Sequence, residues 1–393
     1  MTIYEDAKRY NDYIISMRRY FHENPELSGK EINTMKVIGE ELSKIGIDYV
    51  EVENGGILGK ITGPKPGRTV LLRADCDALP VQEKDVNLSC KRTCVSKTPG
   101  VMHACGHDCH GAMLLGIGKS LMEVKDELTG KILLGFQVAE ENLKGSRTMV
   151  QYVKDMGGAD NSIAIHVGCA QNIGEIMLPA GPMASGVITY QIRVKGRGGH
   201  GSAPHAALDP IKPACEIVLK LASLPSNAID AQDPIVFSTC HIEGGSAVNI
   251  IPDEAVIGGT VRYFNKDLTQ PIFNYLENIS DCVCKSYGVT RTMEYIFDPM
   301  IPVVNDKEVA EMGQRIAEEM GLKVTKEGKG MGSDDMALLL DAFPGFYANI
   351  GCANEAKGIG HVANHNACFT IDEDALKLGT EFLMKSACEL LNK

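Results

Sequence analysis

The residues with the greatest capacity for chemistry are concentrated in MHACGHDCH, residues 102–110, which holds three histidines, two cysteines and an aspartate. Cys105 and His107 are two positions apart, so on extended backbone their side chains project to the same side. A thiolate together with an imidazole suits Zn²⁺ or another divalent transition metal. Taken alone, the motif also fits a buried turn whose polar groups are satisfied, so it indicates a metal site without requiring one.

Two adjacent carboxylates, Glu140 and Glu141, follow the apolar run in FQVAEE. On a continuing strand they would point in opposite directions, whereas a turn would let both face one site. One could then ligate a metal while the other accepts a proton from the water that the metal activates. The alternative is an exposed acidic loop, which is the commoner position for a Glu-Glu pair.

Two single histidines have the same chemistry. His166 ends the apolar run SIAIHVG, and His365 lies in HVANHNACFTIDED. A lone histidine at the end of a strand is more often a hydrogen-bonded structural residue than a ligand. Together with the cluster and the Glu-Glu pair, however, these histidines favour one common metal site.

The elements that must position these residues alternate between helix and strand. Helical spacing runs through YNDYIISMRRYFHENPEL and INTMKVIGEELSKIGI, with a break at Asn24-Pro25, and again from Gly111 to about Leu128. Strands are predicted in GILGKITG, TVLLRADC and KILLGFQVA. This alternation predicts an α/β fold with a mostly parallel sheet covered on both faces, whose reactive residues gather at the carboxyl ends of the strands.

The order of predicted elements is different in residues 183–299, where strand, helix, strand, strand, helix and strand follow one another. This order is typical of a small ferredoxin-like α+β domain. We therefore predict that it is inserted into a catalytic domain formed by residues 1–182 and 300–393.

At this point the chain resembles a known family, the amidohydrolases that include hippurate hydrolases, N-acyl-amino-acid deacylases and plant auxin-conjugate hydrolases. The resemblance covers almost the whole chain. It is carried by motifs in matching order and spacing, namely RRYFHENPELSGKE, RADCDALP, PGVMHACGHDCH, FQVAEE, AIHVG, GRGGHGSAPH, VNIIPDE, MGSDDMA and HNACFTIDED.

The resemblance implies a dinuclear metal centre. Cys105 corresponds to the bridging thiolate, with His107 and His166 on one ion and Glu141 and His365 on the other. It implies that Glu140 is the general base. Asp77 resembles the family's acid beneath the metals, which can orient a ligating imidazole. We interpret Asp75 and His103 as structural residues.

The resemblance also implies that the inserted domain is a lid and dimerisation domain. His200 in GGHGS looks like the oxyanion donor that reaches across a homodimer, or a higher homo-oligomer, into the partner's active site. Asn249 resembles an accompanying substrate contact, and Arg262 is a further candidate for binding a substrate carboxylate. The residue types do not choose between Mn²⁺ and Zn²⁺, and Co²⁺ or Ni²⁺ would also be accepted.

Two features depart from the family pattern. Asp334, Asp335 and Met336 replace the usual Glu-Asp-Phe, and the usual Pro after the last histidine is absent from HNACF. We expect these changes to lie in the wall of the substrate pocket. The Cys90 and Cys94 loop could instead hold a separate structural zinc, but no second pair at the usual spacing accompanies it.

The composition excludes several classes of partner. With 39 basic and 51 acidic residues the chain has a formal charge of -12, which disfavours nucleic acid and anionic membranes. The start of the chain has no apolar run with a cleavage site, and no apolar stretch is long enough to span a membrane. An odd count of 13 scattered cysteines fits a reducing cytoplasm.

These observations predict a metal-dependent hydrolase that cleaves the amide bond of N-acyl amino acids, such as acetyl or benzoyl conjugates. The alternative is a dipeptidase or aminopeptidase on the same scaffold, and a free α-amino group in the substrate would distinguish the two. A metal-storing protein without catalysis is a weaker reading, because Glu140 is present.

Overall fold

The computed structural model describes residues 9–85 and 89–393. In chain order, the helices of four or more residues are α1 Asn11–Glu23, α2 Ile32–Ile45, α3 His107–Glu123, α4 Gly145–Asp155, α5 Ile211–Leu221, α6 Leu224–Asn227, α7 Thr269–Ser286, α8 Lys307–Glu319, α9 Met336–Ala342 and α10 Asp374–Leu391. The strands are β1 Asp48–Val52, β2 Gly56–Thr62, β3 Lys65–Asp75, β4 Thr129–Gln137, β5 Asn161–Asn172, β6 Glu175–Met177, β7 Gly181–Ala184, β8 Gly186–Lys195, β9 Gly199–His200, β10 Ile235–Gly244, β11 Ile250–Ile251, β12 Glu254–Tyr263, β13 Thr290–Tyr295, β14 Val303–Asn305, β15 Lys323–Thr325 and β16 Gly345–Ala353.

The described chain forms two compact units. The first comprises the described residues up to Met183 together with Val303–Lys329 and Asp334–Lys393, and the second comprises Ala184–Pro302 and Gly330–Ser333. Gly330–Ser333 therefore groups with the second unit, although it lies within the range 300–393 that we assigned to the catalytic domain. Its backbone is held there by Ser185 Oγ, which donates to the carbonyl of Met331 at 2.8 Å.

The first unit is built on an eight-stranded sheet of order β1-β2-β4-β3-β5-β16-β6-β15. Its four central strands, β4, β3, β5 and β16, are mutually parallel. They are buried along most of their length because helices cover the sheet. Apolar side chains of α1, α2, α3, α8 and α10 join those of the sheet in one core. The predicted α/β fold with a mostly parallel sheet is confirmed.

Helix α3 crosses closely against α1 in this core. A Cβ atom at Gly116 would lie 2.4 Å from Cγ1 of Ile14, so glycine permits the approach. The helix was predicted from Gly111 to about Leu128, but it spans His107–Glu123. Its first turn consists mostly of polar residues, so the apolar periodicity that predicts a helix begins only after that turn. Gly106, with φ of 91°, turns the chain just before the helix.

The second unit is a four-stranded antiparallel sheet of order β10-β12-β8-β13. Apolar residues of α5 and α7 pack on this sheet in a separate core. The order of strands and helices is that of a ferredoxin-like domain. Among the helices of the described residues, none combines the length and apolar character needed to cross a membrane.

Candidate metal centre and active site

The five predicted metal ligands come together in the first unit. Ligand atoms of Cys105, His107 and His166 lie within 4.8 Å of one another, and so do those of Cys105, Glu141 and His365. The thiol of Cys105 belongs to both groups. Two cation positions sharing one sulfur are therefore geometrically available.

The turn at Gly106 separates the first two of these residues. Cys105 lies just before it, and His107 is the first residue of α3. The left-handed φ of Gly106 means that the backbone is not extended here, so the alternation that we used to place both side chains on one side does not apply. A Cβ atom at Gly106 would meet Cγ2 of Val167 at 2.4 Å, so glycine also lets this loop approach β5.

The Glu140-Glu141 pair lies in a turn, which is the arrangement that lets both carboxylates face one site. Strand β4 ends at Gln137, Ala139 has a left-handed φ of 58°, and residues 140–143 form the turn. Oε1 of Glu31 accepts hydrogen bonds from the backbone N–H groups of Ala139, at 2.8 Å, and Gly29, at 2.9 Å. Sequence reasoning missed Glu31, which lies inside the ELSGKE motif.

His365 also has a left-handed backbone, with φ of 68°. Its N–H donates to the carbonyl of Ala104 at 2.7 Å, and Asn364 Nδ2 donates to the carbonyl of Cys105 at 2.8 Å. These bonds join the C-terminal loop to the cysteine loop. His365 Nε2 lies 3.4 Å from Oε1 of Glu141.

The hydrogen bonds of the buried His107 ring and the half-buried His166 ring leave their Nε2 atoms directed into the site. His107 Nδ1 is 3.0 Å from Oδ1 of Asp77, whose other oxygen accepts the N–H of Glu141 at 2.9 Å. His166 Nδ1 donates to the carbonyl of Val167 at 2.7 Å, and its Nε2 is 3.4 Å from Cys105 Sγ.

Two buried atoms of the site have no hydrogen-bond partner, namely His107 Nε2 and Glu141 Oε1. Buried polar atoms are almost always satisfied, so these two need an explanation. A bound cation would satisfy both, and thiolate, imidazole and carboxylate are a suitable donor set for a divalent transition metal. The residues present therefore fit a metal.

The pKa values of two of the candidate ligands also fit a bound cation. Burial raises the pKa of the Cys105 thiol. It also raises the pKa of Glu141 to about 7, with Asp77 and Asp75 adding to the effect and His107 opposing it. A divalent cation stabilises the ionised form of each ligand and would reverse these shifts.

Glu140 is buried beside Asp334 and Asp335, and its carboxylate lies within 4.8 Å of both. Burial and these two carboxylates raise the pKa of Glu140 well above its usual range. Arg73 Nη2 donates to Asp335 at 2.7 Å, and the Tyr347 hydroxyl donates to Asp334 at 2.6 Å.

This arrangement corrects our expectation that Asp334, Asp335 and Met336 form a pocket wall. The two aspartates are buried in the network around Glu140, and Met336 is a fully buried residue of α9. The departure from the family pattern therefore concerns the surroundings of Glu140.

Asp75 and His103, which we interpreted as structural, lie at the edge of the site. Asp75 is fully buried and accepts from Arg73 Nη1 at 2.6 Å and from His110. The ring nitrogens of His103 have no hydrogen-bond partner, and burial lowers its pKa to about 4. Sequence reasoning missed His110, although its spacing of three from His107 on a helix was a visible signal.

The predicted residues of the inserted domain lie in the second unit. His200 ends β9 and pairs with Ile250 of β11, next to Asn249. The N–H of Ser202 donates to His200 Nδ1 at 3.1 Å, so in the neutral ring the hydrogen is on Nε2.

Arg262 is placed apart from this pair, on β12. Its Nη1 donates to the carbonyl of Met331 at 3.1 Å and to Ser333 Oγ at 2.9 Å. The guanidinium is therefore partly engaged by the segment Gly330–Ser333, a contact that the sequence did not indicate.

The Cys90 and Cys94 loop has no metal-ligating arrangement among its described residues. Cys94 Sγ accepts from Arg18 Nη1 at 3.1 Å, which gives it a structural partner. Residues 86–88 of the same loop lie outside the described residues.

The chain is similar to known proteins along most of its length. The profile of Peptidase family M20/M25/M40 matches residues 71–389. The chain is 40% identical over 382 residues to thermostable carboxypeptidase 2 of Saccharolobus solfataricus, covering 95% of this chain and 94% of that protein. It is 32% identical over 387 residues to N-acetylcysteine deacetylase of Bacillus subtilis, covering 98% of each.

Among solved structures, the Bacillus subtilis YXEP protein, described as a dinuclear metal binding peptidase from the M20 family, superposes with a TM-score of 0.82 at 29% identity. That match covers 98% of this chain and 99% of the other. The chain therefore belongs to Peptidase family M20/M25/M40.

Proposed function

We propose that this protein hydrolyses the amide bond of N-acyl amino acids at a dinuclear metal centre. As a member of its family it is a metal-dependent amidohydrolase. The bacterial relative that matches along almost its whole length is named for removing an acetyl group from an amino acid. The observation that carries the proposal is the pair of ligand groups sharing Cys105, with the buried Glu140 carboxylate beside them.

The proposed ligand set divides around the shared thiolate of Cys105. His107 and His166 would hold one ion, and Glu141 and His365 the other. Asp77 supports this division, because it holds the His107 ring and the Glu141 backbone at once. When bound, the two cations would supply Lewis-acid chemistry by lowering the pKa of a water and polarising the amide carbonyl. Mn²⁺ and Zn²⁺ are the proposed metals, and this donor set also accepts Co²⁺ or Ni²⁺.

Glu140 is the proposed general base. It accepts the proton of the attacking water and delivers it to the leaving nitrogen. Its position next to a ligand, in a turn held by Glu31, supports this role. Burial, together with the Asp334 and Asp335 carboxylates, raises the pKa of Glu140 well above its usual range, and a higher pKa makes the ionised carboxylate a stronger proton acceptor.

His200 is the proposed oxyanion donor and acts from the partner subunit of a homodimer. Its Nε2–H form is supported by the Ser202 bond to Nδ1. Strand β10 is an edge of its sheet and exposes Val236 and Ile242, and such an edge is suited to pairing with a second copy. Asn249, beside His200, would contact the substrate, and Arg262 would bind its carboxylate through the part of the guanidinium that Gly330–Ser333 leaves free.

A peptidase activity is the second candidate function, because the thermostable relative at 40% identity is named a carboxypeptidase. Cleavage of a C-terminal residue and removal of an acyl group both break an amide next to a free α-carboxylate. Dipeptides with free and with acetylated amino groups would separate an aminopeptidase-type dipeptidase from a deacylase. We place the enzyme in the cytoplasm, where its thirteen free cysteines would remain reduced.

The variant Glu140→Gln tests the proposal. It should retain the bound metal and lose turnover of N-acetyl amino acids by at least about 100-fold, because the proton transfer alone is removed. Metal analysis and single-turnover assays would be made on the same preparation. Loss of the metal together with activity would show that Glu140 is a ligand, and full activity would exclude it as the base.

A further inference from the structure

His110 on α3 is a buried histidine that the proposed function does not use. Its ring centroid is 4.6 Å from that of His166 and 5.5 Å from that of His107. Its side chain is 2% exposed. Ligand atoms of Asp75, His107 and His110 also lie within 4.8 Å of one another, so proximity alone would make His110 a further metal ligand.

The hydrogen bonds of His110 argue against that role. The backbone N–H of Val167 can only donate, and it donates to His110 Nε2 at 3.0 Å, so Nε2 carries no hydrogen. Nδ1 therefore carries it and donates to Oδ1 of Asp75. The other oxygen of Asp75 accepts from Arg73 Nη1 at 2.6 Å. Both ring nitrogens are engaged, and no lone pair remains for a cation.

The amide that His110 holds is the one joining His166 to Val167. The carbonyl of Val167 in turn accepts from His166 Nδ1 at 2.7 Å. Val167 therefore has its N–H bonded to His110 and its carbonyl bonded to the His166 ring. With the ring in this orientation, His166 Nε2 lies 3.4 Å from Cys105 Sγ. Loss of a neighbour that orients a ligating imidazole typically lowers metal affinity by about 10- to 100-fold.

We propose that His110, supported by Asp75 and Arg73, is a positioning residue that fixes the backbone at Val167 and so directs His166 toward the shared thiol. The inference rests on the proposed role of His166 as a ligand. It assigns to Asp75 a definite task, which is to keep the hydrogen of His110 on Nδ1.

The test is the binding of Co²⁺ to the full-length protein after removal of metal by a chelator. Visible absorption reports the coordination of each ion, and metal analysis gives the stoichiometry. His110→Gln and His110→Asn are matched variants. The glutamine oxygen can reach the position of Nε2 and accept from Val167, whereas asparagine is too short.

We expect His110→Asn to lower the affinity for one of the two Co²⁺ ions by about 10- to 100-fold and to change the visible absorption of that ion. The other ion should bind with unchanged affinity. His110→Gln should bind both ions nearly as the unmodified protein does.

Asp75→Asn is a second variant that keeps the shape of the site. Because Arg73 only donates, the amide oxygen would face Arg73 and the NH₂ group would face His110. The hydrogen would then move to Nε2, against the Val167 N–H, so the same selective loss is expected.

His166→Ala separates this inference from the proposed function. It should lower the affinity for the same ion, and the double variant His166→Ala with His110→Asn should show no further loss of affinity. Two ions of unchanged affinity in His166→Ala would show that the proposed ligand set is wrong. If His166→Ala loses an ion while His110→Asn and Asp75→Asn keep both, the ligand set is retained and the positioning role is rejected. Equal losses in His110→Asn and His110→Gln would also reject it.

Discussion

Asp108, next to His107, is a buried carboxylate that holds the first turn of α3. It lies 2.9 Å from both Arg18 Nε and His22 Nδ1. Burial acts to raise the pKa of Asp108, but Arg18 and His22 outweigh it and lower that pKa well below its usual range. A carboxyl group with a lowered pKa stabilises the fold above its unfolded-state pKa, and this contribution is lost as the pH falls.

We therefore expect Asp108→Asn to lower the free energy of unfolding at neutral pH by about 3–5 kcal/mol, because Arg18 loses its closest counterion in a buried site. Below about pH 4, where the unfolded-state carboxyl becomes protonated, the difference in stability should begin to shrink, and it should continue to shrink as the pH falls toward the lower folded-state pKa. Denaturant unfolding of the metal-free proteins across this pH range measures the difference. The exposed substitution Asp126→Asn is the control, with an expected change of less than about 0.5 kcal/mol. A constant difference at all pH values would contradict the assignment.

At the scale of residues, the sequence indicated the five ligand candidates that the structure brings together, because thiol, imidazole and carboxylate groups are chemically conspicuous. It did not predict their partners. Glu31 holds the turn at Ala139 from a position 108 residues away, and Asp335 reaches Arg73 across 262 residues. Such bonds arise from the packing of distant segments, and no local pattern records them.

At the scale of elements, helix α3 connects the metal site to the core, and its glycines differ in their surroundings. A Cβ atom at Gly116 would lie 2.4 Å from Ile14, whereas one at Gly111 would meet its nearest atom, Cys76 Sγ, at 3.4 Å. The first distance requires the Ile14 side chain to move or α1 and α3 to separate, and the second is an ordinary contact.

We expect Gly116→Ala to destabilise the protein by about 1–3 kcal/mol through overpacking, despite the better helix propensity of alanine. Gly111→Ala in the same helix should be neutral or stabilising by up to about 1 kcal/mol. Thermal and denaturant unfolding of both variants provide the comparison. Equal effects at the two positions would mean that the helices do not approach as closely as described.

The elements themselves were predictable where apolar periodicity is strong, as in α1, α2 and the central strands. The start of α3 was not, because its first turn consists of His107, Asp108, Cys109 and His110. His166 was expected to end its strand, yet β5 continues to Asn172. In both cases polar residues needed for the site lie inside a regular element and interrupt the pattern by which that element is recognised.

At the scale of the whole molecule, the proposed contribution of His200 from a partner subunit makes two inactive variants complementary. In a mixed dimer of Glu140→Gln and His200→Ala, one site would combine an intact Glu140 with an intact His200 from the other chain. Each variant alone has no complete site.

We expect the mixed dimer, isolated with two different affinity tags, to regain about half of the turnover of the unmodified dimer. Each homodimer should remain at least about 100-fold less active, because one lacks the general base and the other lacks an oxyanion donor. Metal content should be the same in all three proteins. Absence of recovery in a mixed dimer that is shown to be intact would place His200 in its own subunit's site.

The order of strands in the large sheet has a consequence for synthesis on the ribosome. Strand β16, Gly345–Ala353, lies in the middle of that sheet between β5 and β6, and His365 follows it. A nascent chain that has passed β6 must therefore wait for more than 150 further residues before the gap beside β5 is filled. Until then an apolar strand edge stays open, so folding of the nascent chain should depend on chaperones, and the proposed site, which includes His365, would be completed only near the end of synthesis.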